Sequence, residues 1–220
     1  MWGFLSKDPA KDFPYEVGDA VGQVALENKS VWRLHAGKHR TSGEAASVFV
    51  CDTKSGASNT QLDVARAAVK RLKTLRHPSV LTFLAECDSP TSVLLATELV
   101  TPLSEHLGEI VDRGPKREYY LAWGIFQVCR ALAFLNNDAK LKHNNLNSAS
   151  VFVTRAGDWK LAGLEYVCAA DVQAPAKILP CLEKYTDDKG WSIDDGFNCN
   201  VMYSTCCSII HYLTRPLTKY

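Results

Sequence analysis

The side chains best placed to carry out chemistry lie in one stretch of the chain, between Leu141 and Glu165. A polar loop over 143–150 precedes a short apolar strand, a turn and a second short strand. A loop of this kind that transferred phosphate would need a carboxylate to accept a proton and oxygen ligands to hold Mg²⁺. The loop offers Asn145 and Ser150 instead, and an amide cannot accept a proton as a carboxylate does. The residue types therefore indicate a positioned loop without the groups for phosphoryl transfer.

The layout of this stretch resembles the active centre of a protein kinase, in which the loop H-R-D-L-x-x-x-N leads into a hairpin that ends in D-F-G. His143 and Leu146 keep the frame of that loop. Asn145 stands at the position of the catalytic Asp, and Ser150 stands at that of the metal-binding Asn. The D-F-G position reads Gly163-Leu164-Glu165, so glycine replaces the second metal-binding carboxylate. The resemblance implies a kinase-like fold that is not an enzyme and needs no cofactor or metal.

Two elements upstream have lost the groups that grip phosphate in kinases. An apolar strand over 46–52 aligns with the V-A-I-K strand, and Phe49 stands at the position of its Lys. An amphipathic helix over 61–76 carries Ala68 at the position of the Glu that pairs with that Lys. The turn over 36–43, expected to correspond to the glycine-rich loop, keeps two glycines only. A remnant of the nucleotide pocket is predicted from this turn and a hinge-like segment: Gly37, Thr97, Glu98 and Val100.

The periodic segments predict an α+β protein-kinase-like fold, with a β-rich N-lobe that includes the 61–76 helix and an incomplete, mostly helical C-lobe. A hairpin of strands at 80–87 and 92–100 is predicted, after a first strand at 32–35. The helix predicted over 119–136 carries an apolar stripe, with Trp123 and Ile125, that is expected to be core. The predicted regions are an irregular N-terminal arm (1–30), a kinase-like N-lobe (31–100), a partial C-lobe (101–194) and a divergent tail (195–220).

Composition excludes several classes of function. The 220 residues carry 25 basic and 24 acidic side chains, a balance that does not favour nucleic-acid binding. No secretory signal and no apolar run long enough to span a membrane is predicted. The eight cysteines are scattered, so reduced thiols in a cytoplasmic protein are expected. The spacing of Cys199, Cys206, Cys207 and His211 fits no common zinc site.

An ordered set of segments resembles one family of kinase-like proteins. The segments are Met1-Trp2, Asp8-Pro9, Val48-Phe49-Val50, Leu75-Arg76-His77-Pro78, Thr97-Glu98-Leu99-Val100, His143-Asn144-Asn145 and Gly163-Leu164. Over residues 1 to about 194, the chain resembles the kinase-like domain of the Scy-like, or N-terminal kinase-like, pseudokinases. The set includes substitutions typical of that family, namely Phe for the strand Lys and His-Asn-Asn for His-Arg-Asp.

The resemblance implies a catalytically inactive scaffold in the cytoplasm, peripheral to the Golgi and the ER–Golgi intermediate, that supports vesicle traffic through protein partners. In that family, HEAT repeats and a coatomer-binding tail follow the kinase-like domain. The residues after the match are too few for one helical repeat pair, which takes roughly 40 residues. Direct coatomer binding by this chain is therefore not expected, and partners would dock on the kinase-like surface.

Two alternatives stay open at the level of sequence. A residual ATP-binding kinase would need Lys54 or Lys160 to hold phosphate, and Asp158 or Glu165 to hold magnesium. A truncated isoform with an incomplete C-lobe would fold poorly, because a small loss of core exceeds the marginal stability of a domain.

Overall fold

A computed structural model describes residues 12–27, 29–109 and 115–171 of the chain. The part of the predicted C-lobe beyond residue 171 and the predicted 195–220 tail lie outside the described residues. So do the first eleven residues of the predicted N-terminal arm and the cysteine and histidine set weighed for zinc.

An antiparallel five-stranded sheet forms the first half of the fold, in the order β1-β2-β3-β5-β4. Its strands are β1 (Tyr15–Ala20), β2 (Arg33–His39), β3 (Ala45–Asp52), β4 (Phe83–Asp88) and β5 (Ser92–Thr97). The β-branched and apolar centre of β3 is buried between its neighbours, as its composition predicts. The predicted hairpin is confirmed as β4 and β5, although both strands are shorter than expected.

The prediction of an irregular arm over residues 1–30 is wrong for Tyr15–Ala20, which pairs with β2, and for the one-turn helix α1 (Gln23–Leu26). Strand β2 also continues to His39, beyond its predicted end, so the turn is shorter than the predicted 36–43. The physical reason lies in two glycines that serve close packing. A Cβ on Gly18 would lie 3.1 Å from the Ala36 carbonyl oxygen, and one on Gly37 would lie 2.6 Å from Val48 Cγ2.

Helix α2 (Asn59–Thr74) packs on this sheet and confirms the predicted amphipathic helix, with both ends two residues earlier. Its N-terminus is fixed by a capping box between Ser58 and Gln61, in which each side chain accepts a hydrogen bond from the other residue's backbone N–H. Its inward face buries the apolar residues Leu62, Ala65, Ala68, Val69 and Leu72.

Within the described residues, the second half of the fold contains a short helix, a long helix and two small sheets. Its elements are β6 (Val100–Pro102), α3 (Leu103–Glu109), α4 (Pro115–Ala133), β7 (Leu141–Lys142), β8 (Val151–Thr154), β9 (Trp159–Leu161) and β10 (Cys168–Ala169). Strands β6, β8 and β9 form one antiparallel sheet, and β7 pairs with β10. The larger of two clusters of buried apolar side chains includes Leu34 in the first half and Leu161 in the second.

Helix α4 confirms the helix predicted over 119–136, but not all of its predicted core stripe. Val128, Leu132 and the following Leu135 are buried, whereas Trp123 is 53% exposed and Ile125 is 37% exposed. The expectation that the whole stripe is core is therefore wrong for Trp123 and Ile125, because β9 packs on the face of α4 that carries Tyr120 and Gly124 instead. None of the helices in the described part of the chain is long and apolar enough to cross a membrane.

Candidate functional site

The loop after β7 and the turn after β9 meet through a buried histidine. His143 is 1% exposed, and its Nε2 lies 2.7 Å from the Ala162 carbonyl oxygen. The backbone N–H of Asn145 donates to its Nδ1, at 3.3 Å. One ring nitrogen therefore donates and the other accepts, which is the pattern of a neutral imidazole. Burial lowers the pKa of His143 to about 4, which keeps the ring neutral at neutral pH.

Three predicted site residues converge at this junction. Gly163 adopts a left-handed conformation with φ +71°, and a Cβ there would lie 2.5 Å from Ser150 Cβ and 3.3 Å from Asn145 Nδ2. The hydroxyl of Ser150 donates to the Asn147 carbonyl oxygen and accepts from the Asn147 backbone N–H. Ser150 therefore closes a short 3₁₀ turn, and its oxygen is committed to the backbone.

A buried glutamate lies beside these residues. Glu165 Oε1 accepts a hydrogen bond from the Trp32 indole Nε1 at 2.6 Å, and Oε2 accepts from Asn145 Nδ2 at 3.1 Å. Arg71 of α2 donates to the carbonyl oxygens of Leu164 and Glu165. Burial raises the pKa of the Glu165 carboxyl, against the effect of its own backbone N–H, the two side-chain donors and the Arg71 charge.

Aromatic rings occupy the space next to this carboxyl group. Phe49 is 3% exposed, and its ring meets Trp32 and Phe152 edge to face, at centroid distances of 6.3 and 5.3 Å. Ala68 of α2 is also buried, and it lines the same cavity. The structure therefore places the predicted positions Phe49 and Ala68 together with Asn145 and Gly163.

The cavity between these groups has a volume of about 30 Å³, whereas pockets for small-molecule ligands typically enclose roughly 300–1,000 Å³. Most of its walls are apolar, and the polar groups include Asn145 and Glu165. The four residues predicted as a remnant nucleotide pocket do not line it: Gly37, Thr97, Glu98 and Val100. Gly37 lies within β2, and Thr97 is fully buried with its hydroxyl donating to the Glu98 carbonyl oxygen.

The hinge-like backbone is satisfied within the protein. The Val100 N–H donates to Ser47 Oγ at 3.0 Å, and Ser47 Oγ donates to the Val100 carbonyl oxygen at 3.2 Å. The Glu98 N–H donates to the Thr82 carbonyl oxygen. A hinge that bound adenine would need backbone donors and acceptors that face the ligand. Here a serine on β3 takes both polar groups of Val100.

Of the alternative residues for phosphate and magnesium, Glu165 lines this cavity, whereas Lys54, Asp158 and Lys160 do not. Lys160 Nζ donates to the Pro78 carbonyl oxygen at 2.7 Å and lies 3.3 Å from Glu98 Oε1. Asp158 accepts from Gln127, and Lys54 lies in the turn after β3. No group of three or more His, Cys, Asp or Glu side chains within the described ranges could hold a metal ion. The residues present do not fit a nucleotide–magnesium complex.

Sequence reasoning located the loop, Phe49 and Ala68, but it missed Ser47 and the contact between Trp32 and Glu165. Trp32 and Glu165 are separated by 133 positions, so no local period links them. The sequence signal for Glu165 was its position: it is a carboxylate that stands where kinases have the glycine of D-F-G, after the apolar residues 161–164.

An antiparallel five-stranded sheet with α2 packed on it, followed by this loop, hairpin and glycine-led turn, defines a protein-kinase-like domain. Curated proteins similar to the chain carry matching names. "Probable inactive serine/threonine-protein kinase scy1" of Dictyostelium discoideum is 38% identical over 158 residues, 72% of this chain and 18% of that protein. "SCY1-like protein 2" of Homo sapiens is 25% identical over 179 residues, 71% of this chain and 19% of that protein. The chain belongs to the Scy-like family of kinase-like proteins.

A third relative, "Protein-associating with the carboxyl-terminal domain of ezrin" of Mus musculus, is 38% identical over 133 residues, 60% of this chain and 16% of that protein. The chain spans about a fifth of the length of these relatives. No protein-family model matches the chain.

Proposed function

We propose that this chain is a pseudokinase domain that does not transfer phosphate and acts as a scaffold for protein partners. One observation carries the proposal: protein side chains fill the space that a nucleotide and its metal would need. Phe49 corresponds by its position in the strand to the lysine that meets phosphate in kinases, and the buried Glu165 lines the same small cavity. A buried carboxylate beside phosphate adds like charge, which opposes nucleotide binding.

The proposal assigns the loss of activity to five positions that act at different steps. Phe49 and Ala68 leave phosphate without the ion pair that positions it. Asn145 leaves the reaction without a base, and Ser150 and Gly163 leave the metal ions without ligands. The name of the relative from Dictyostelium discoideum, which calls that protein a probable inactive kinase, supports this assignment.

The scaffold role extends, in this proposal, to vesicle traffic at the Golgi and the ER–Golgi intermediate in the cytoplasm. Membership of the Scy-like family supports it, through the resemblance of the catalytic loop, the strand and the hinge. A relative named for its association with the carboxyl-terminal domain of ezrin supports protein binding in general. Partners would dock on the outer surface of the domain, because the cleft is filled.

A thermal-unfolding scan of the purified chain tests the proposal, with ATP alone and with ATP and magnesium. A ligand that binds the folded state raises the free energy of unfolding, by about 2.7 kcal/mol at a hundredfold excess over its Kd. The unfolding midpoint rises as a result. We expect a midpoint that neither addition changes. An upward shift that depends on magnesium would refute the pseudokinase assignment, and an active protein kinase scanned in parallel is the positive control.

A further inference from the structure

We propose that Trp32 and Glu165 form an internal clasp that holds the two halves of the domain together where a nucleotide would otherwise bridge them. The inference rests on the proposed function and deepens it, because it names the groups that close the cleft. The clasp is defined by the side chains of Trp32 and Glu165 with their partners Asn145 and Arg71.

The central contact joins distant parts of the chain. Trp32 immediately precedes β2 of the five-stranded sheet, and Glu165 lies in the 3₁₀ turn after β9. The distance from Nε1 of Trp32 to Oε1 of Glu165 is 2.6 Å, and the two residues are 6% and 7% exposed. A hydrogen bond to a carboxylate away from water is among the stronger ones in proteins.

The second carboxylate oxygen is held from the other side of the cleft. Asn145 of the loop donates to Oε2, while Arg71 of α2 donates to the backbone of the same turn. The Glu165 carboxyl therefore receives one side-chain donor from the residue before β2 and one from the loop, besides its own backbone N–H. Removing either side-chain donor takes a charge-assisted hydrogen bond away from a buried carboxyl group, which weakens the contact.

The clasp has an apolar part as well as a polar one. The Trp32 ring packs edge-on against Phe49 of β3, and Phe49 packs edge-on against Phe152 of β8. These rings continue the contact from the sheet into the hairpin of the second half. Every group of the clasp thus belongs to the polypeptide itself.

Hydrogen exchange followed by mass spectrometry tests the clasp in the full chain. The variants are Trp32→Phe, which keeps an aromatic ring but removes the N–H donor, and Glu165→Gln, which keeps the shape but presents an amide to Asn145. The matched control is Trp159→Phe, because the Trp159 indole is also buried and donates to Tyr120 Oη at 3.0 Å, away from the cleft. We expect exchange in peptides over 29–34 and 161–167 to rise on the order of tenfold in the two clasp variants. The control should leave these peptides at the wild-type rate.

Coupling between the two residues gives a second readout. The double variant should exchange no faster than the faster single variant, because both changes break the same contact. Unchanged exchange at these peptides in Trp32→Phe, or equal acceleration there in Trp159→Phe, would refute the clasp. Should Glu165→Gln not fold, Trp32→Phe against Trp159→Phe decides the question. A refuted clasp leaves the proposed function standing, whereas magnesium-dependent ATP binding by the wild-type chain would refute the proposed function itself.

Discussion

Gly163 has a left-handed backbone conformation and stands at the position of a metal-binding carboxylate in kinases. The left-handed φ of +71° costs glycine nothing, and the space where a side chain would begin is taken by Ser150. A metal-binding carboxylate at this position therefore needs more than a change of one residue type, because the neighbouring loop has closed around the glycine.

We expect Gly163→Asp to destabilise the fold by about 1–3 kcal/mol, through the 2.5 Å approach of its Cβ to Ser150, without producing magnesium binding. Urea unfolding with and without magnesium measures both effects. Gly56→Asp is the matched control, since Gly56 also has a positive φ, +93°, but nothing lies within 4 Å of its Cβ position. Equal losses in the two variants would show that backbone strain, and not crowding, sets the cost.

The buried His143 makes stability depend on pH. Its pKa is about 4 in the folded chain against an ordinary 6.5, so the unfolded chain binds a proton at a pH where the folded chain does not. The contribution of His143 to the free energy of unfolding is therefore complete above about pH 6.5. It is lost as the pH falls towards 4, by up to about 3 kcal/mol. Urea unfolding across that range measures the loss. His143→Gln, which cannot titrate there, should show a shallower decline, and an unchanged slope in that variant would contradict the assignment.

At the scale of elements, helix α2 is the part of the first half that reaches the cleft, through Ala68 and Arg71. Its start depends on the capping box of Ser58 and Gln61. We expect Ser58→Ala to destabilise the chain by about 1 kcal/mol, because two backbone N–H groups lose their partners or their fixed geometry. Chemical denaturation measures it.

Thr60→Ala provides the control for that prediction, because Thr60 is exposed in the same first turn and makes no cap. Alanine has a higher helix propensity than threonine, so this variant should be neutral or slightly more stable. Equal effects of the two substitutions would mean that the capping box contributes nothing.

Elements with strong periodicity could be predicted from the sequence, whereas those shaped by close packing could not. Apolar residues at spacings of three and four located α2, which buries one face, and a continuous apolar run located β3, which is buried on both faces. Strand β1 was missed because a glycine in the sequence usually indicates a break in a strand. Gly18 instead lies within the strand and permits a 3.1 Å approach to the Ala36 carbonyl oxygen. The exposed end of α4 was missed because a stripe predicts an apolar face but not what covers it.

At the scale of the whole molecule, one buried cluster joins the sheet to the second half. We expect a single cooperative unfolding transition, with coincident midpoints by far-ultraviolet circular dichroism and tryptophan fluorescence. Leu161→Val, which removes one methylene from that cluster, should lower both midpoints together. Two separate transitions, or a variant that shifts one probe alone, would show that the halves fold independently.

The candidate site shows the same division between local and long-range information. The frame of His143, Asn145 and Ser150 could be predicted because a few consecutive residues carry it. The partners of Glu165 could not, because the sheet, the loop and α2 each contribute one group to it. Such a site is defined by the tertiary fold, and single positions in the sequence do not encode it.

The hydrogen bonds between Ser47 and Val100 have a consequence for chemical probes. Adenine-mimetic kinase inhibitors anchor on backbone donors and acceptors of the hinge, and in this chain those groups already have a partner. That partner is tethered to the same polypeptide, so its effective concentration exceeds that of any dissolved compound. We therefore expect that compounds from broad kinase-inhibitor collections do not bind this domain. A selective probe would have to be designed for its outer surface.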